Sequence, residues 1–278
     1  MGLAFGSFLN VCITRIPRDL SIVSPGSFCP QCRVPIRWRD NVPLLSWVLL
    51  GGRCRACGKP ISGRYPAVEL LTATLFVACY ASFGFTWLTL KSCIFCFLIV
   101  GLIFMDAETG LLPGEFTYWG IGIGLLLAWI IPGDSSGKSF LFNVLGLRGI
   151  PPGPKLSLVD AVVAAMVGAG FFYLAWALYY IVRKRHGLGF GDIALMAMVG
   201  AFLGLKLTVL VIFLAPIMAT VFALTMLAIR GKSDKTFLSG EVPFGAFLGM
   251  NSLVALFLGE PIWTWYIGLF GRGSWGMP

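Results

Sequence analysis

Two aspartates stand out because they lie at the ends of strongly apolar runs. Asp106 closes one run, and Asp192 follows the two glycines of Gly189-Phe190-Gly191-Asp192. A charged side chain at membrane depth costs about 2.5 to 3.5 kcal/mol on insertion scales, so an acid in this position is a functional candidate. If both carboxylates lie at one membrane face, a shared proton supplies an acid and a base together. Such a pair can hydrolyse a peptide bond, and we expect no metal in the protease site.

Gly189 and Gly191 are candidate supporting residues of the catalytic loop. Because they lack a Cβ atom, they let an extended substrate backbone approach closely and permit a tight turn before Asp192. The alternative, for these residues taken alone, is an ordinary loop between two helices.

Four cysteines form two pairs in a polar segment between Asp19 and Arg64. Their spacing is C-x2-C-x21-C-x2-C, with a middle interval one residue beyond the usual range of zinc ribbons. Four thiolates on two tight loops suit tetrahedral zinc, which would stabilise a segment with few apolar residues. Paired disulfides or free thiols are the alternative, and redox chemistry is disfavoured because no βαβ pattern surrounds either pair. The predicted ligands are Cys29, Cys32, Cys54 and Cys57.

The composition indicates a protein that crosses a membrane many times. Of its 278 residues, 58% are hydrophobic and 12% are charged, and the mean hydropathy is +0.87. The formal net charge of +9 raises the question of a nucleic acid partner. A basic excess beside apolar spans is more often the topology signal of cytoplasmic loops, so we expect membrane lipid and no nucleic acid as partners.

The helices that must position these residues follow from the apolar runs, because backbone groups in a membrane have to bond within the segment. A first run reaching only Ile13 is short of the about 20 residues that a spanning helix needs, and so is a last piece from Pro261 to Phe270. We therefore predict an all-α polytopic membrane protein of about seven or eight transmembrane helices with a small cytoplasmic zinc-binding domain. The remaining runs cover residues 66–84, 87–105, 116–132, 158–182, 192–205, 207–229 and 243–258. Asp160 is predicted to cap the helix that starts after Ser157, and Glu108 and Glu115 are predicted to lie in a short loop.

Three domains are predicted from this pattern. Residues 1–13 form a partial first transmembrane helix, residues 14–65 a cytoplasmic zinc-binding domain with four cysteine ligands, and residues 66–278 a transmembrane aspartyl protease domain.

The distribution of Lys and Arg predicts the face that each segment occupies. With the cysteine segment in the cytoplasm, fifteen basic residues fall on the cytoplasmic side: nine between Arg15 and Arg64, three at 183–185, and three at 230, 232 and 235. Six fall on the other side, at positions 91, 138, 148, 155, 206 and 272. This asymmetry is the one that the positive-inside rule expects. Since two crossings separate Asp106 from Asp192, both carboxylates emerge at the cytoplasmic face.

Several motifs along the chain resemble those of one known family. The N-terminal motifs are Gly6-Ser7-Phe8-Leu9-Asn10-Val11, the two cysteine pairs, Pro43-Leu44-Leu45-Ser46-Trp47 and Arg64-Tyr65-Pro66. The later motifs are Asp106 with Leu112-Pro113, Gly189-Phe190-Gly191-Asp192, and Val242-Pro243-Phe244-Gly245. With these motifs the chain resembles the type IV prepilin peptidases, the prepilin leader peptidase/N-methyltransferase family of GxGD aspartyl proteases. It departs from the family pattern at Gly114, where an acidic residue is expected after Leu112-Pro113, and at Ala194, where a lysine is expected.

The resemblance implies a multi-pass enzyme of the bacterial cytoplasmic (inner) membrane with its active site facing the cytoplasm. Its substrates would be type IV prepilins or pseudopilins, cut after a basic leader peptide with Asp106 and Asp192 as the catalytic pair. It also implies N-methylation of the new terminal residue with S-adenosylmethionine, for which no binding residues are assigned. A proton-coupled transporter or scaffold is the alternative, with aspartates that relay protons and a zinc ribbon that binds a partner.

Overall fold

The computed structural model describes residues 1–131, 153–184, 189–230 and 243–270. Within these ranges the chain is almost entirely helical and has no β-strand, which confirms the all-α class. Two 3-10 helices cover Ile16–Arg18 and Trp38–Asn41. The α-helices of these ranges are α1 (Gly2–Arg15), α2 (Leu45–Leu49), α3 (Arg64–Phe83), α4 (Trp87–Thr109), α5 (Gly114–Ile130), α6 (Pro154–Arg183), α7 (Phe190–Arg230) and α8 (Phe244–Phe270).

Five helices of the described ranges are long and apolar enough to cross a membrane, namely α3, α4, α6, α7 and α8. Helix α5 is apolar but has 17 residues, and α1 has 14. The polytopic membrane class is confirmed by these lengths and compositions.

Helix α7 is interrupted at Gly204, whose φ of 76° and ψ of 175° are not helical. The sequence predicts a break at this place, because one apolar run ends at residue 205 and the next begins at 207. Glycine tolerates a positive φ that other residues adopt only with strain. The carboxylate of Asp160 in α6 accepts a hydrogen bond of 3.3 Å from the N–H of Leu205. This N–H has no acceptor within the helix, because the second half of α7 begins here, and the carboxylate supplies one.

Helix α8 continues through Pro261 to Phe270. The prediction of a separate short apolar piece after residue 258 is therefore wrong. A proline lacks the N–H that completes the helical ladder, yet membrane helices tolerate it because neighbouring groups and local adjustments satisfy the freed carbonyl.

Some positions used in the sequence analysis lie outside the described residues. The topology derived from basic residues stays a prediction for this reason. The positions are Val242 of the last motif and the basic residues Lys138, Arg148, Arg185, Lys232, Lys235 and Arg272.

The chain divides into two compact units, Met1–Pro113 and Gly114–Pro278. In the first unit α1 packs against α3 and α4. Gly6 allows this approach, because a Cβ atom there would lie 2.6 Å from the Cα of Glu69. Leu9, Val68 and Phe95 are fully buried between the helices. The predicted domain boundaries after residues 13 and 65 stay a prediction.

In the second unit α7 packs against α5, α6 and α8, and α5 also contacts α6. A Cβ atom at Gly200 of α7 would lie 2.4 Å from the backbone carbonyl carbon of Ala164 in α6. One at Gly168 of α6 would lie 2.7 Å from the carbonyl oxygen of Met196. Small residues let membrane helices pack backbone to backbone, so these glycines fix how closely α6 and α7 approach.

Candidate active site and metal centre

The predicted zinc ligands lie on two loops of the same local structure. In each loop the first cysteine's N–H donates to a carbonyl five residues later, and its own carbonyl accepts from an N–H four residues later. An isolated β-bridge closes each loop, Phe28 with Pro35 and Arg53 with Pro60. The hydrogen bonds are Cys29 to Val34 (3.0 Å), Arg33 to Cys29 (2.8 Å), Cys54 to Lys59 (2.9 Å) and Gly58 to Cys54 (2.8 Å), donor first.

These loops bring the four cysteine sulfurs together, with all Sγ atoms within 4.8 Å of one another. The Sγ atoms of Cys29 and Cys57 are 4.0 Å apart. A tetrahedral zinc ion with Zn–S bonds of about 2.3 Å holds its sulfurs about 3.8 Å apart, so the observed spacing fits. All eight cysteines fall within the described ranges, and all are free thiols. The set Cys29, Cys32, Cys54 and Cys57 is therefore compatible with structural zinc.

The electrostatics of this segment also suit a metal centre. Hydrogen bonding from the backbone of Cys32 lowers the pKa of the Cys29 thiol to about 7, so this sulfur loses its proton first. Against a backbone hydrogen bond that lowers it, burial and hydrogen bonds to the other cysteine sulfurs raise the pKa of Cys32 to about 11. Arg55 of the second loop donates two hydrogen bonds to Asp40, from Nε at 3.0 Å and from Nη2 at 2.8 Å. These bonds hold the pKa of Asp40 below its usual value. They tie the second cysteine loop to the 3-10 helix at Trp38–Asn41.

Asp106 belongs to the last turn of α4, in the first compact unit. The helix ends at Gly110, which adopts a left-handed conformation and donates its N–H to the Asp106 carbonyl at 2.8 Å. Glycine is the residue that ends helices in this way at least cost. Asp106 is only 7% exposed, beside the fully buried Met105.

Asp192 belongs to the first turn of α7, in the second unit. Its N–H donates to the carbonyl of Gly189 at 3.2 Å, and it is likewise only 7% exposed. The ring of Phe190 lies 5.0 Å from that of Trp176 in α6, which anchors the start of α7. Gly189 is exposed, and a Cβ atom there would lie 3.7 Å from a carboxylate oxygen of Asp192, an ordinary contact. Gly191 has helical backbone geometry in the first turn of α7.

A polar network surrounds Glu69, a residue outside the predicted catalytic and zinc-binding sets. Glu69 of α3 is buried, and its carboxylate accepts the N–H of Leu44 at 2.7 Å. Arg64 at the start of α3 donates from Nη1 to Glu108 at 2.7 Å and from Nη2 to Thr14 at 2.9 Å. A glutamate in an apolar helix is the sequence signal for this network, since a charge there needs a partner.

Three comparisons with known proteins bear on this arrangement. Residues 1–83 match the model described as Bacterial Peptidase A24 N-terminal domain, and residues 92–224 match the Type IV leader peptidase family. A protein of Aeromonas hydrophila is 34% identical over 96% of this chain and 92% of its own length. A protein of Neisseria gonorrhoeae is 31% identical over 96% of this chain and 92% of its own length. A protein of Pseudomonas aeruginosa is 30% identical over 98% of this chain and 92% of its own length. All three are named prepilin leader peptidase/N-methyltransferase. No solved structure matches the chain.

The fold and the two family models define a multi-pass enzyme of the bacterial inner membrane. The chain belongs to the type IV leader peptidase family, and the three relatives above carry names that pair a peptidase with an N-methyltransferase. The family resemblance carried by the sequence motifs is thus confirmed.

Proposed function

We propose that this enzyme removes the basic leader peptide of type IV prepilins or pseudopilins at the cytoplasmic membrane face and then methylates the new terminal amine. The observation that carries the peptidase half is the pair of buried carboxylates in a chain of this family. Asp106 ends one apolar helix and Asp192 begins another, and each is 7% exposed. A carboxylate at membrane depth costs free energy that an apolar side chain in the same place would not cost. Its presence there favours a catalytic role.

The proposed hydrolysis is a general acid and base reaction shared between the aspartates. The ionised aspartate takes a proton from a water molecule, whose oxygen attacks the scissile carbonyl carbon. The protonated aspartate donates a hydrogen bond to the carbonyl oxygen and stabilises the charge that develops there. When the tetrahedral intermediate collapses, the leaving amine gains a proton and the pair again holds one proton. Burial strengthens these interactions because little water screens them.

The cytoplasmic position of the pair rests on helix order and charge. Helices α5 and α6 lie between Asp106 and Asp192 along the chain. The 17 residues of α5 are at the short end of the range that spans a bilayer, and with α5 counted as a crossing the polypeptide returns to the face at which α4 ended. The polar cysteine segment and its many arginines precede α3, and the positive-inside rule assigns them to the cytoplasm. The leader of a prepilin is basic, and it would reach the site from that side.

Gly189 and Gly191 support the proposed site by leaving the backbone before Asp192 without side chains. The exposure of Gly189 next to the buried Asp192 leaves the backbone open on one side of the carboxylate. An extended substrate chain can approach such a backbone more closely than one carrying side chains.

Zinc is proposed as a structural ion held by Cys29, Cys32, Cys54 and Cys57. When bound, it would tie the two cysteine loops together and stabilise a segment with a small apolar core. The hydrolysis does not pass through it.

Methyl transfer follows cleavage in this proposal. The nitrogen lone pair of the new terminal amine attacks the methyl carbon of S-adenosylmethionine, and the carbon–sulfur bond breaks with its electron pair remaining on sulfur. The amine then loses a proton to solvent. The products are an N-methylated pilin and S-adenosylhomocysteine.

A product analysis tests the proposed function. The purified protein in detergent is incubated with S-adenosylmethionine and a prepilin that carries a basic leader ending in glycine. Mass spectrometry should show the released leader and a shortened pilin with one added methyl group. An intact substrate after prolonged incubation would contradict the proposal and would favour a transporter or scaffold.

A further inference from the structure

A large cavity lies in the first unit between the cysteine segment and the adjoining ends of α1, α3 and α4. Its volume is about 1210 Å³. Its wall includes Asn10, Arg64, Glu69 and Glu108, together with the aromatic side chains of Trp47 and Tyr65. Sites for small molecules typically enclose about 300 to 1,000 Å³ and combine an apolar wall with a few polar groups, so this cavity is large enough for a nucleoside-sized ligand.

Two polar atoms of this wall are buried without a hydrogen-bond partner. They are Oδ1 of Asn10 and Nε of Arg64. Asn10 is 3% exposed, and its Nδ2 is engaged with the carbonyl of Tyr65 at 3.0 Å. More than nine tenths of buried polar groups in proteins have a partner, so two unpaired atoms among the residues of one cavity wall are unusual.

Glu69 holds a strained loop against the same cavity. Its carboxylate accepts the N–H of Leu44, a bulky residue with a φ of 59°. Ser46 reinforces the turn, because its hydroxyl accepts the N–H of Val42 at 2.9 Å and donates to the carbonyl of Arg39 at 2.9 Å. Backbone strain of this kind persists where surrounding contacts enforce it and is concentrated at ligand sites. The strained loop places Trp47 in the cavity wall.

The charges of the wall match a ligand that carries both signs. Glu69 offers a carboxylate, Arg64 and Glu108 form an ion pair in the wall, and the Arg64 guanidinium lies 4.7 Å from the ring centre of Tyr65. S-Adenosylmethionine has a carboxylate that an arginine can bind, an ammonium and a sulfonium that acids and aromatic rings attract, and an adenine that stacks on aromatic rings. We propose that this cavity binds S-adenosylmethionine, with Glu69 facing its cationic part and Arg64 its carboxylate. The proposal rests on the methyl transfer proposed above.

Direct binding to the zinc-loaded, full-length protein in detergent tests the assignment. Calorimetry with S-adenosylhomocysteine and S-adenosylmethionine gives the affinity, and ultraviolet cross-linking with methyl-labelled S-adenosylmethionine gives the position. We expect the label on peptides that carry lining residues, namely residues 4–69 or the segment around Glu108. Glu69→Gln retains an oxygen that can accept the N–H of Leu44, so it removes the charge while keeping the loop.

The charge variants should weaken donor binding selectively. Glu69→Gln and Arg64→Gln should each lower the affinity for S-adenosylmethionine by at least about tenfold, because hydrogen bonds to charged groups are the stronger kind. Methylation at limiting donor should fall more than cleavage in both variants. Glu260→Gln is the matched control, since it makes the same change at a glutamate of the second unit that pairs with Lys206.

The outcomes separate this assignment from the proposed methyl transfer. A wild-type protein that cleaves the substrate but neither binds nor uses the donor would overturn both. A protein that methylates normally, with unchanged donor affinity in both cavity variants or with the label outside residues 4–69 and the segment around Glu108, would overturn the cavity assignment alone. Displacement of the donor by anionic phospholipid vesicles but not by S-adenosylhomocysteine would assign the cavity to a lipid headgroup instead.

Discussion

Asp160 is a residue whose role depends on tertiary structure. The sequence predicts it as the cap of a helix beginning after Ser157, but α6 begins at Pro154 and Asp160 lies in its second turn. Its carboxylate instead accepts the N–H of Leu205, where α7 resumes after Gly204. A side chain on one helix thus stabilises the break in another, and the sequence spacing of 45 residues gives no sign of it.

Removing this carboxylate should lower stability. Asp160→Ala leaves the N–H of Leu205 without this acceptor, and the loss of a helix cap costs about 1 kcal/mol. Thermal unfolding in detergent, followed by tryptophan fluorescence, should show a lower midpoint for this variant. Asp160→Asn is the control, because its amide oxygen can still accept the hydrogen bond and its midpoint should fall less. Equal midpoints for wild type and Asp160→Ala would contradict the capping role.

Single glycines decide how closely α6 and α7 pack. Gly200→Ala would place a Cβ atom 2.4 Å from the backbone of Ala164, whereas Gly170→Ala adds one with nothing within 4 Å. Overpacking a close contact costs about 1 to 3 kcal/mol, while replacing a mid-helix glycine by alanine in open space gains about 0.5 to 1 kcal/mol. Gly200→Ala should therefore lower the unfolding midpoint and Gly170→Ala should not. The reverse order would show that the two helices do not pack through Gly200.

The helices were largely predictable because a backbone in lipid must form its hydrogen bonds within the protein, and an α-helix does so within one segment. Each long apolar run corresponds to a helix, and the gap between residues 205 and 207 coincides with the break at Gly204. The end of α8 was missed, since Pro261 and the polar Glu260 weaken the apolar pattern without ending the helix. Glu108 and Glu115 were expected in a loop, but α4 extends to Thr109 and α5 begins at Gly114. Arg64 pairs with Glu108.

The two cysteine loops should require metal to remain folded. Wild-type protein should contain one zinc ion per chain by elemental analysis, because four converging thiolates form one tetrahedral site. Cys54→Ser should lose most of that metal and unfold at a lower temperature, and chelation of the wild type should have the same effect. Cys93→Ser is the control, since Cys93 lies in α4 outside the cluster. Full zinc content in Cys54→Ser would remove that thiol from the ligand set.

Over the whole molecule, the sequence identified the chemical groups better than their surroundings. The aspartates were evident because a charge in an apolar run is costly, and the zinc ligands because their spacing is regular. The cavity was not evident from the sequence, because Asn10, Arg64 and Glu69 lie on two helices. They line one wall only when α1 packs on α3. Such a site depends on tertiary contacts that no local pattern reports.

The proposed catalytic pair is Asp106, near the end of α4, with Asp192, at the start of α7. Cleavage of a prepilin by Asp106→Asn and by Asp192→Asn, each purified and shown to be folded, tests it most directly. Each variant should lose at least about 100-fold in cleavage rate, since a shared acid and base cannot operate with one carboxylate. Asp19→Asn is the control at an exposed aspartate with a φ of 54°, a conformation that asparagine also tolerates, and it should cleave at the wild-type rate. Cleavage at a wild-type rate by either Asp106→Asn or Asp192→Asn would contradict the account.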